Sequence, residues 1–211
     1  MRFGVDEAGK GPVLGSMFAA AVRADPADLP ADVGDSKTID AERREELAAE
    51  IREVGRVGVA EVTVAEIDDP ETDMNTLTVD AHARALERAA GDGASAIVDA
   101  GDTNAVRFGT RLEDRLSVAV DVRAEHAADE NHAVVGAASI VAKVARDAHV
   151  DALAAKYGPL GSGYPSDPAT REFLEAYVEE FGDLPPCARE SWQTSRDVLT
   201  AAAQASLDAF E

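Results

Sequence analysis

The segment Phe3-Gly4-Val5-Asp6-Glu7-Ala8-Gly9-Lys10-Gly11-Pro12 predicts a strand that ends in two carboxylates and turns at once. Apolar side chains alternate along residues 2–6 and so share one face of an extended chain. Gly9 and Gly11 permit a tight turn, because glycine tolerates backbone angles that other residues avoid. Small and apolar residues then run from 13 to 22, so we expect the first two strands to form a β-hairpin.

The remainder of the chain predicts an α/β fold. Asp40 is a suitable N-cap for a helix from 41 to about 53. Further strands are predicted at 56–64, 94–99 and 117–122, and an acidic loop or short turn at 66–75. Further helices are predicted at 79–90, 106–112, 134–157, 169–181 and 194–210. This order predicts a mixed central sheet flanked by helices, with a domain of residues 1–157 and a helical C-terminal region of residues 158–211.

Length and composition indicate a globular protein of a reducing compartment. With 211 residues, 45% of them hydrophobic, the chain can bury a core. Its single cysteine, Cys187, cannot form an internal disulfide, and no charged-then-apolar leader is expected before the first strand, so we expect a cytoplasmic location. The longest apolar stretch, residues 13–22, is about half of the ~20 residues that a membrane helix needs, so we expect no membrane span.

The formal net charge of −21 indicates a surface adapted to concentrated salt. Acidic residues recur through segments that keep helical or loop patterning, so disorder is a poor explanation for them. In ~1 M salt the Debye length falls to ~3 Å, which screens the repulsion among these charges. The same screening means that the acidity does not exclude a nucleic-acid partner, because only short-range contacts then count.

Carboxylates stand where predicted strands end. Asp6 ends the first strand and Asp99 ends the buried strand at 94–99, so adjacent parallel strands would bring these two side chains together at one end of the sheet. Asp129 could reach the same place from a loop. Carboxylates that converge from separate elements are the ligands that hard cations such as Mg²⁺ and Mn²⁺ prefer. On spacing alone, helix caps or turn residues explain these carboxylates about equally well.

Two glycine-framed loops favour the close approach of a ligand. Gly9, Lys10 and Gly11 leave backbone groups uncovered, although neither the spacing nor the ending of a phosphate-binding P-loop is present. The loop from Gly161 to Asp167 presents Tyr164, whose ring could stack on a sugar or base. The residues alone are also compatible with an ordinary tight hairpin turn at Gly9 to Gly11, and an aromatic residue such as Tyr164 is by itself more often a packing anchor.

Several segments together resemble one known family, ribonuclease HII. These segments are Asp6 to Pro12, Asp35-Ser36-Lys37, Asp99, His126-Ala127-Ala128-Asp129, Ala137 to Asp147, and Gly161 to Asp167. They stand in the order and spacing of that family from residue 2 to about 195. The resemblance is strongest to archaeal members, in agreement with the salt-adapted composition.

The resemblance implies a ribonuclease H-like catalytic domain at 1–157, with the C-terminal region packed on it and contributing to substrate binding. It implies an endonuclease that cuts the RNA strand of RNA–DNA hybrids, and cuts 5′ of ribonucleotides embedded in duplex DNA, leaving a 5′-phosphate and a 3′-hydroxyl. Two Mg²⁺ or Mn²⁺ ions would be held by the carboxylates that match the family's metal ligands. These carboxylates are Asp6, Glu7, Asp99 and Asp129. We expect a monomer that binds no membrane.

The same resemblance implies a set of substrate-binding residues. Gly9, Lys10 and Gly11 match the turn that reads the 2′-hydroxyl group, and Tyr164 would stack against a neighbouring sugar. Lysine is scarce in this chain, and Lys37 and Lys143 are candidates for phosphate contact.

Lys10 departs from the family pattern, which usually has arginine at this position. Arginine offers a planar set of donors that lysine lacks, so substrate geometry would suffer if the side chain itself grips the substrate. Little would change if the flanking backbone does the reading.

Two functions of other kinds remain open. One is a different nuclease of the same sheet architecture, because a fold alone does not fix a substrate; the 2′-hydroxyl-reading turn and Tyr164 argue against it. The other is a non-catalytic acidic binding protein whose carboxylates hold only solvent and salt. Loss of cleavage in Asp99→Asn with the fold intact would argue against this binder.

We expect dialysis from molar KCl into low salt to lower the melting temperature, because the unscreened acidic surface then repels itself. Thermal unfolding followed by circular dichroism over a series of KCl concentrations measures the effect. A melting temperature that stays constant over the series would contradict a salt-adapted surface.

Overall fold

One mixed sheet organises the computed structural model, which describes residues 2–35, 39–89 and 95–208. Within these residues the strands are β1 (Arg2–Ala8), β2 (Met17–Ala24), β3 (Arg56–Val62), β4 (Ser95–Asp99) and β5 (Asp121–Glu125). Their order across the sheet is β3-β2-β1-β4-β5. β2 pairs antiparallel with both β1 and β3, whereas β4 pairs parallel with both β1 and β5. The predicted α/β fold with a mixed central sheet is confirmed.

Helices supply the rest of the regular structure. They are α1 (Ala41–Val54), α2 (Val64–Ile67), α3 (Met74–Arg88), α4 (Ala105–Glu113), α5 (Ala128–Asn131), α6 (Ala133–Tyr157), α7 (Pro168–Phe181) and α8 (Gln193–Asp208). As predicted, Asp40 caps α1, and its side chain accepts a hydrogen bond from the Arg43 backbone N–H. In the described part of the chain, each helix is too short or too polar to cross a membrane.

The chain forms two compact units. The first comprises Met1–Lys10, Met17–Val62 and Thr72–Arg146, and the second comprises Gly11–Ser16, Thr63–Glu71 and Asp147–Glu211. The first unit has a core of buried apolar residues from β2, α1 and α6, such as Val22, Leu47, Ile51, Val135 and Ile140. The second has its own core, which includes Val13, Leu14, Leu160, Leu174 and Val178. The division predicted at residue 157 stays a prediction.

Gly4 lets the start of α6 pack directly on β1. A Cβ atom at Gly4 would lie 2.1 Å from the Val134 carbonyl carbon and 2.2 Å from its oxygen, so any side chain here would clash with backbone. This close approach lays the first turns of α6 along β1, the strand that carries Asp6 and Glu7. Within the first unit, the glycine therefore places the helix beside Asp6, whose side chain is on the same face of β1 as Gly4.

Some predicted boundaries were wrong. The second strand was predicted from 13 to 22, but it begins at Met17, because Leu14 forms a β-bridge with Ala188 within the second unit. Likewise, the strand predicted at 117–122 lies at Asp121–Glu125, where its residues pair with Ser95–Asp99 of β4. Apolar alternation continues from Val118 to Ala124 and so could not show which half of the segment pairs.

The region predicted as an acidic loop at 66–75 contains helical structure. Thr63 and Glu66 form a capping box that starts the short helix α2. Asp73 then caps α3 through the backbone N–H groups of Asn75 and Thr76, so α3 begins five residues before the predicted start at 79. Two of the acids that suggested a loop, Glu66 and Asp73, are therefore helix-capping residues.

Candidate metal centre

Asp6 and Asp99 lie side by side on the neighbouring parallel strands β1 and β4. Asp99 ends β4 as predicted, but the prediction that β1 ends at Asp6 was wrong, because β1 continues to Ala8, where it still pairs with β2. Val5 of β1 pairs with Val98 of β4, so the next residue of each strand is one of these carboxylates. The parallel pairing that the sequence predicted is therefore confirmed. Carboxyl ends of adjacent parallel strands commonly meet at a ligand site in α/β sheets.

Asp6 is buried beside α6, with an exposed fraction of 6%. Its Oδ1 accepts a hydrogen bond from the Glu7 backbone N–H at 2.7 Å, and its carboxylate also accepts one from the Ser139 side chain. Burial raises the pKa of Asp6 well above its usual value, and the nearby charges of Glu7 and Asp99 raise it further. The two hydrogen bonds act in the opposite direction. Without a cation, ionised Asp6 is therefore unfavourable here.

Asp99 is tied to the start of α5. Its Oδ1 accepts a hydrogen bond from the Ala128 backbone N–H at 2.7 Å. Burial is the largest cause that raises the pKa of Asp99, and the charges of Asp129 and Glu7 also raise it. Ala127, just before α5, has a left-handed backbone with φ of 55°, which is uncommon for alanine. This bend and the Asp99 hydrogen bond start the short helix that carries Asp129.

Asp129 is buried within α5, with an exposed fraction of 8%. The prediction placed it in a loop, but it lies in the first turn of this four-residue helix. Because its charge raises the pKa of Asp99, the two carboxylates lie near one another.

Glu7 follows Asp6 in β1, so its side chain points to the opposite face of the sheet. There its Oε2 lies 2.8 Å from His82 Nε2 of α3. Its Oε1 lies where a side chain at Gly101 would have to go, since a Cβ atom there would be 2.9 Å from that oxygen. The Glu7 carboxylate therefore sits between a buried imidazole and a bare stretch of backbone.

The four carboxylates influence one another but do not form a closed cage. Each of them raises the pKa of a neighbour or has its own pKa raised by one. Across the described part of the chain, however, no group of three or more His, Cys, Asp or Glu side chains lies close enough to hold one ion. Their oxygens are of the type that hard divalent cations prefer, so the residues fit such an ion in chemistry. Binding one would draw the side chains closer together than they lie here.

Lys10 is held within the first unit. Its Nζ donates a hydrogen bond to Asn75 Oδ1 at 3.2 Å and another to the Gly101 carbonyl oxygen. These bonds tie the turn at Gly9 and Lys10, called the glycine turn below, to the start of α3 and to the loop after β4. Because the ammonium group has intramolecular acceptors, the arrangement favours the alternative in which the flanking backbone, rather than the Lys10 side chain, contacts a ligand.

Gly11 and Tyr164 lie together within the second unit. A Cβ atom at Gly11 would be 3.7 Å from Tyr164 Cε1, and the Gly11 carbonyl accepts a hydrogen bond from Trp192 Nε1 at 3.3 Å. Gly163 accepts hydrogen bonds from the backbone N–H groups of Val13 and Leu14 at 2.8 and 3.2 Å. The Tyr164 side chain is exposed, so its ring is accessible to a ligand.

Of the two lysines predicted to contact phosphate, only Lys143 lies among the residues that the structure describes. Lys143 lies in α6, four residues after Ser139 and so on the same face of that helix, and it is half-buried. Lys37 lies outside the described residues.

Sequence reasoning missed His82, Ser139 and Gly101 as parts of this site. Ser139 falls inside a segment that carried the family resemblance, but nothing in its pattern pointed to Asp6. His82 is 75 residues from Glu7 along the chain, and a histidine in an apolar helix carries no signal of that contact. Gly101 also carries no signal in the sequence, because its closeness to Glu7 Oε1 arises only in the folded chain.

Comparisons with known proteins agree on one family. The sequence matches ribonuclease HII over residues 3–195. The ribonuclease HII of Haloarcula marismortui is 65% identical over 211 residues, covering 100% of both chains. The ribonuclease H2 structure from Pyrococcus horikoshii OT3 has 37% identity and a TM-score of 0.89, covering 96% of this chain and 98% of that one. A chain of the PCNA:RNase HII complex from Archaeoglobus fulgidus has 38% identity and a TM-score of 0.85, covering 94% and 96%.

We expect Asp6→Asn to raise the melting temperature of the metal-free protein at pH 8. The pKa of Asp6 is higher in the folded than in the unfolded chain, so its contribution to stability is full at low pH and is lost as the pH rises through the folded value. Removing the charge avoids that loss, and each kcal/mol regained adds about 2–4 °C. Thermal unfolding in EDTA at pH 5 and pH 8 measures the difference, which should be larger at pH 8.

Asp102→Asn is the matched control. Arg107 holds the pKa of Asp102 down to about 2, so this carboxylate stabilises the folded state above its unfolded pKa and loses that effect as the pH falls. Its removal should lower the melting temperature at pH 8. A lower melting temperature for Asp6→Asn at pH 8 would contradict the proposed strain at Asp6.

Proposed function

The chain belongs to the ribonuclease HII family and is an endoribonuclease H, and on that premise we propose that it cuts on the 5′ side of ribonucleotides embedded in duplex DNA as well as within RNA–DNA hybrids. The products would be a 5′-phosphate and a 3′-hydroxyl. The single observation that carries this proposal is the pairing of β1 with β4, which places buried Asp6 beside half-buried Asp99, both with raised pKa values. The cytoplasmic location and the monomeric state remain predictions.

We propose that Asp6, Glu7, Asp99 and Asp129 hold the divalent cations that the reaction needs. When bound, two Mg²⁺ or Mn²⁺ ions supply Lewis-acid stabilisation of the attacking and leaving oxygens of an in-line displacement. A carboxylate with a raised pKa exchanges its proton for the cation, so cation binding should release protons and tighten with rising pH.

The chain's own residues hold these carboxylates in place. Ser139 and the Glu7 backbone N–H fix Asp6, and the Ala128 backbone N–H fixes Asp99. Each of these donors leaves part of the carboxylate free to accept other contacts. The protein thereby limits the movement needed to bring the oxygens onto a shared ion.

Substrate recognition is proposed for the glycine turn and Tyr164. In the first unit the bonds of Lys10 to Asn75 and Gly101 support the backbone around Gly9, which would read the 2′-hydroxyl group. In the second unit the exposed ring of Tyr164 beside Gly11 would stack against a neighbouring sugar. Lys143 and Lys37 are proposed to contact phosphates, with Lys37 assigned on sequence alone.

We expect cleavage of a duplex with a single embedded ribonucleotide on the 5′ side of that ribonucleotide, in high KCl with Mn²⁺. Denaturing gels with size markers and end-group analysis locate the cut. The all-DNA duplex of the same sequence should stay intact, because it lacks the 2′-hydroxyl group. A cut on the 3′ side of the ribonucleotide, or equal cutting of both duplexes, would contradict the proposed substrate.

Asp99→Asn is expected to reduce the cleavage rate more than ~100-fold, since loss of even an indirect partner of a metal ligand costs 10–100-fold. Asp28→Asn, at an exposed position away from this end of the sheet, is the control and should cleave like the wild type. Retained activity in Asp99→Asn would refute its role as a ligand.

A further inference from the structure

His82 is completely buried, although histidine carries two polar ring nitrogens. It lies in the middle of α3, with its ring edge-on to Phe108 at a centroid distance of 5.2 Å and an interplanar angle of 84°. A buried polar ring in apolar surroundings needs hydrogen-bond partners to offset the loss of water. The hydrogen-bond partners of the His82 ring therefore indicate its role.

One ring nitrogen of His82 has a partner and the other has none. Nε2 lies 2.8 Å from Glu7 Oε2, whereas Nδ1 is buried without a hydrogen-bond partner among the residues that the structure describes. Glu7 can only accept a hydrogen bond when ionised, so the proton of a neutral imidazole belongs on Nε2. Leucine would fill a similar space without an unsatisfied nitrogen, so the contact with Glu7 is the feature that distinguishes histidine here.

The contact with His82 involves only one of the two carboxylate oxygens of Glu7. Oε2 accepts from His82, whereas Oε1 lies next to Gly101, in space that a side chain at Gly101 would need. The His82 ring cannot shift easily, because Phe108 is itself completely buried against it. A fixed donor on one oxygen restricts the rotation of the whole carboxylate.

We propose that His82 is a positioning residue for Glu7, which it holds through an Nε2–H···Oε2 hydrogen bond so that Oε1 is directed toward the divalent cation. The proposal rests on the proposed function, in which Glu7 is one of the metal ligands. Metal-ligating carboxylates are commonly oriented by such outer partners, whose loss costs 10–100-fold in metal affinity. His82 does not itself touch substrate or cation in this role.

The test is a titration of the full-length protein with Mn²⁺ alone, in which free Mn²⁺ is followed by its electron paramagnetic resonance signal. We expect His82→Leu to raise the dissociation constant 10–100-fold, because the donor is lost while the apolar volume is kept. His82→Gln should restore the affinity to within a few-fold, since its amide nitrogen can reach the position of Nε2. His82→Asn, which is one methylene shorter, should bind as weakly as His82→Leu.

A double-mutant cycle separates positioning from general damage to the fold. In a Glu7→Gln background, His82→Leu should change Mn²⁺ affinity little further, because the two residues act through one contact. Circular dichroism establishes that each variant is folded, and should His82→Leu fail to fold, the comparison of His82→Gln with His82→Asn decides the question.

Two results would overturn the proposal. One is equal or tighter Mn²⁺ binding by His82→Leu, or by His82→Asn, than by the wild type. The other is a His82→Gln variant as weak as His82→Asn. Asp99→Asn distinguishes these failures from failure of the metal centre itself. If Asp99→Asn binds Mn²⁺ as tightly as the wild type, the metal centre is refuted. If Asp99→Asn binds weakly and His82→Leu binds normally, only the positioning role of His82 is refuted.

Discussion

Repulsion between buried and half-buried carboxylates is the constraint on which the rest of the first unit depends. Parallel pairing of β1 with β4 brings Asp6 and Asp99 to the same end of the sheet, where burial and neighbouring negative charges raise the pKa of both. Such an arrangement is unfavourable by itself and becomes favourable when a cation neutralises it. Stability is therefore reduced at the place where the proposed metal site needs concentrated negative charge.

The surrounding structure limits this repulsion without removing it. Gly4 lets α6 pack on β1, which brings Ser139 to Asp6, and the backbone N–H of Ala128 binds Asp99. On the other face of β1, His82 binds Glu7. Each partner is a hydrogen-bond donor rather than a fixed positive charge, so the carboxylates keep the negative potential that attracts a cation.

Much of the fold could be predicted from the sequence, because it follows from local patterns. Alternation predicted β1, the acid at the end of each strand indicated the shared end of the sheet, and Asp40 marked the start of α1. The position of β5 could not be predicted, because a long alternating segment pairs over whichever half meets β4. The contacts around the carboxylates could not be predicted either, because they join distant parts of the chain. Examples are the contact of His82 with Glu7 and the hydrogen bonds of Lys10 to Asn75 and Gly101.

A crystal structure of the protein with Mn²⁺, with the ions located by their anomalous scattering, tests most directly whether this negative cluster is a metal centre. We expect Mn²⁺ within about 2.0–2.6 Å of oxygens from Asp6, Glu7, Asp99 and Asp129, with these side chains closer together than in the geometry given above. Mn²⁺ bound elsewhere at saturating concentration, with the four carboxylates unchanged, would contradict it.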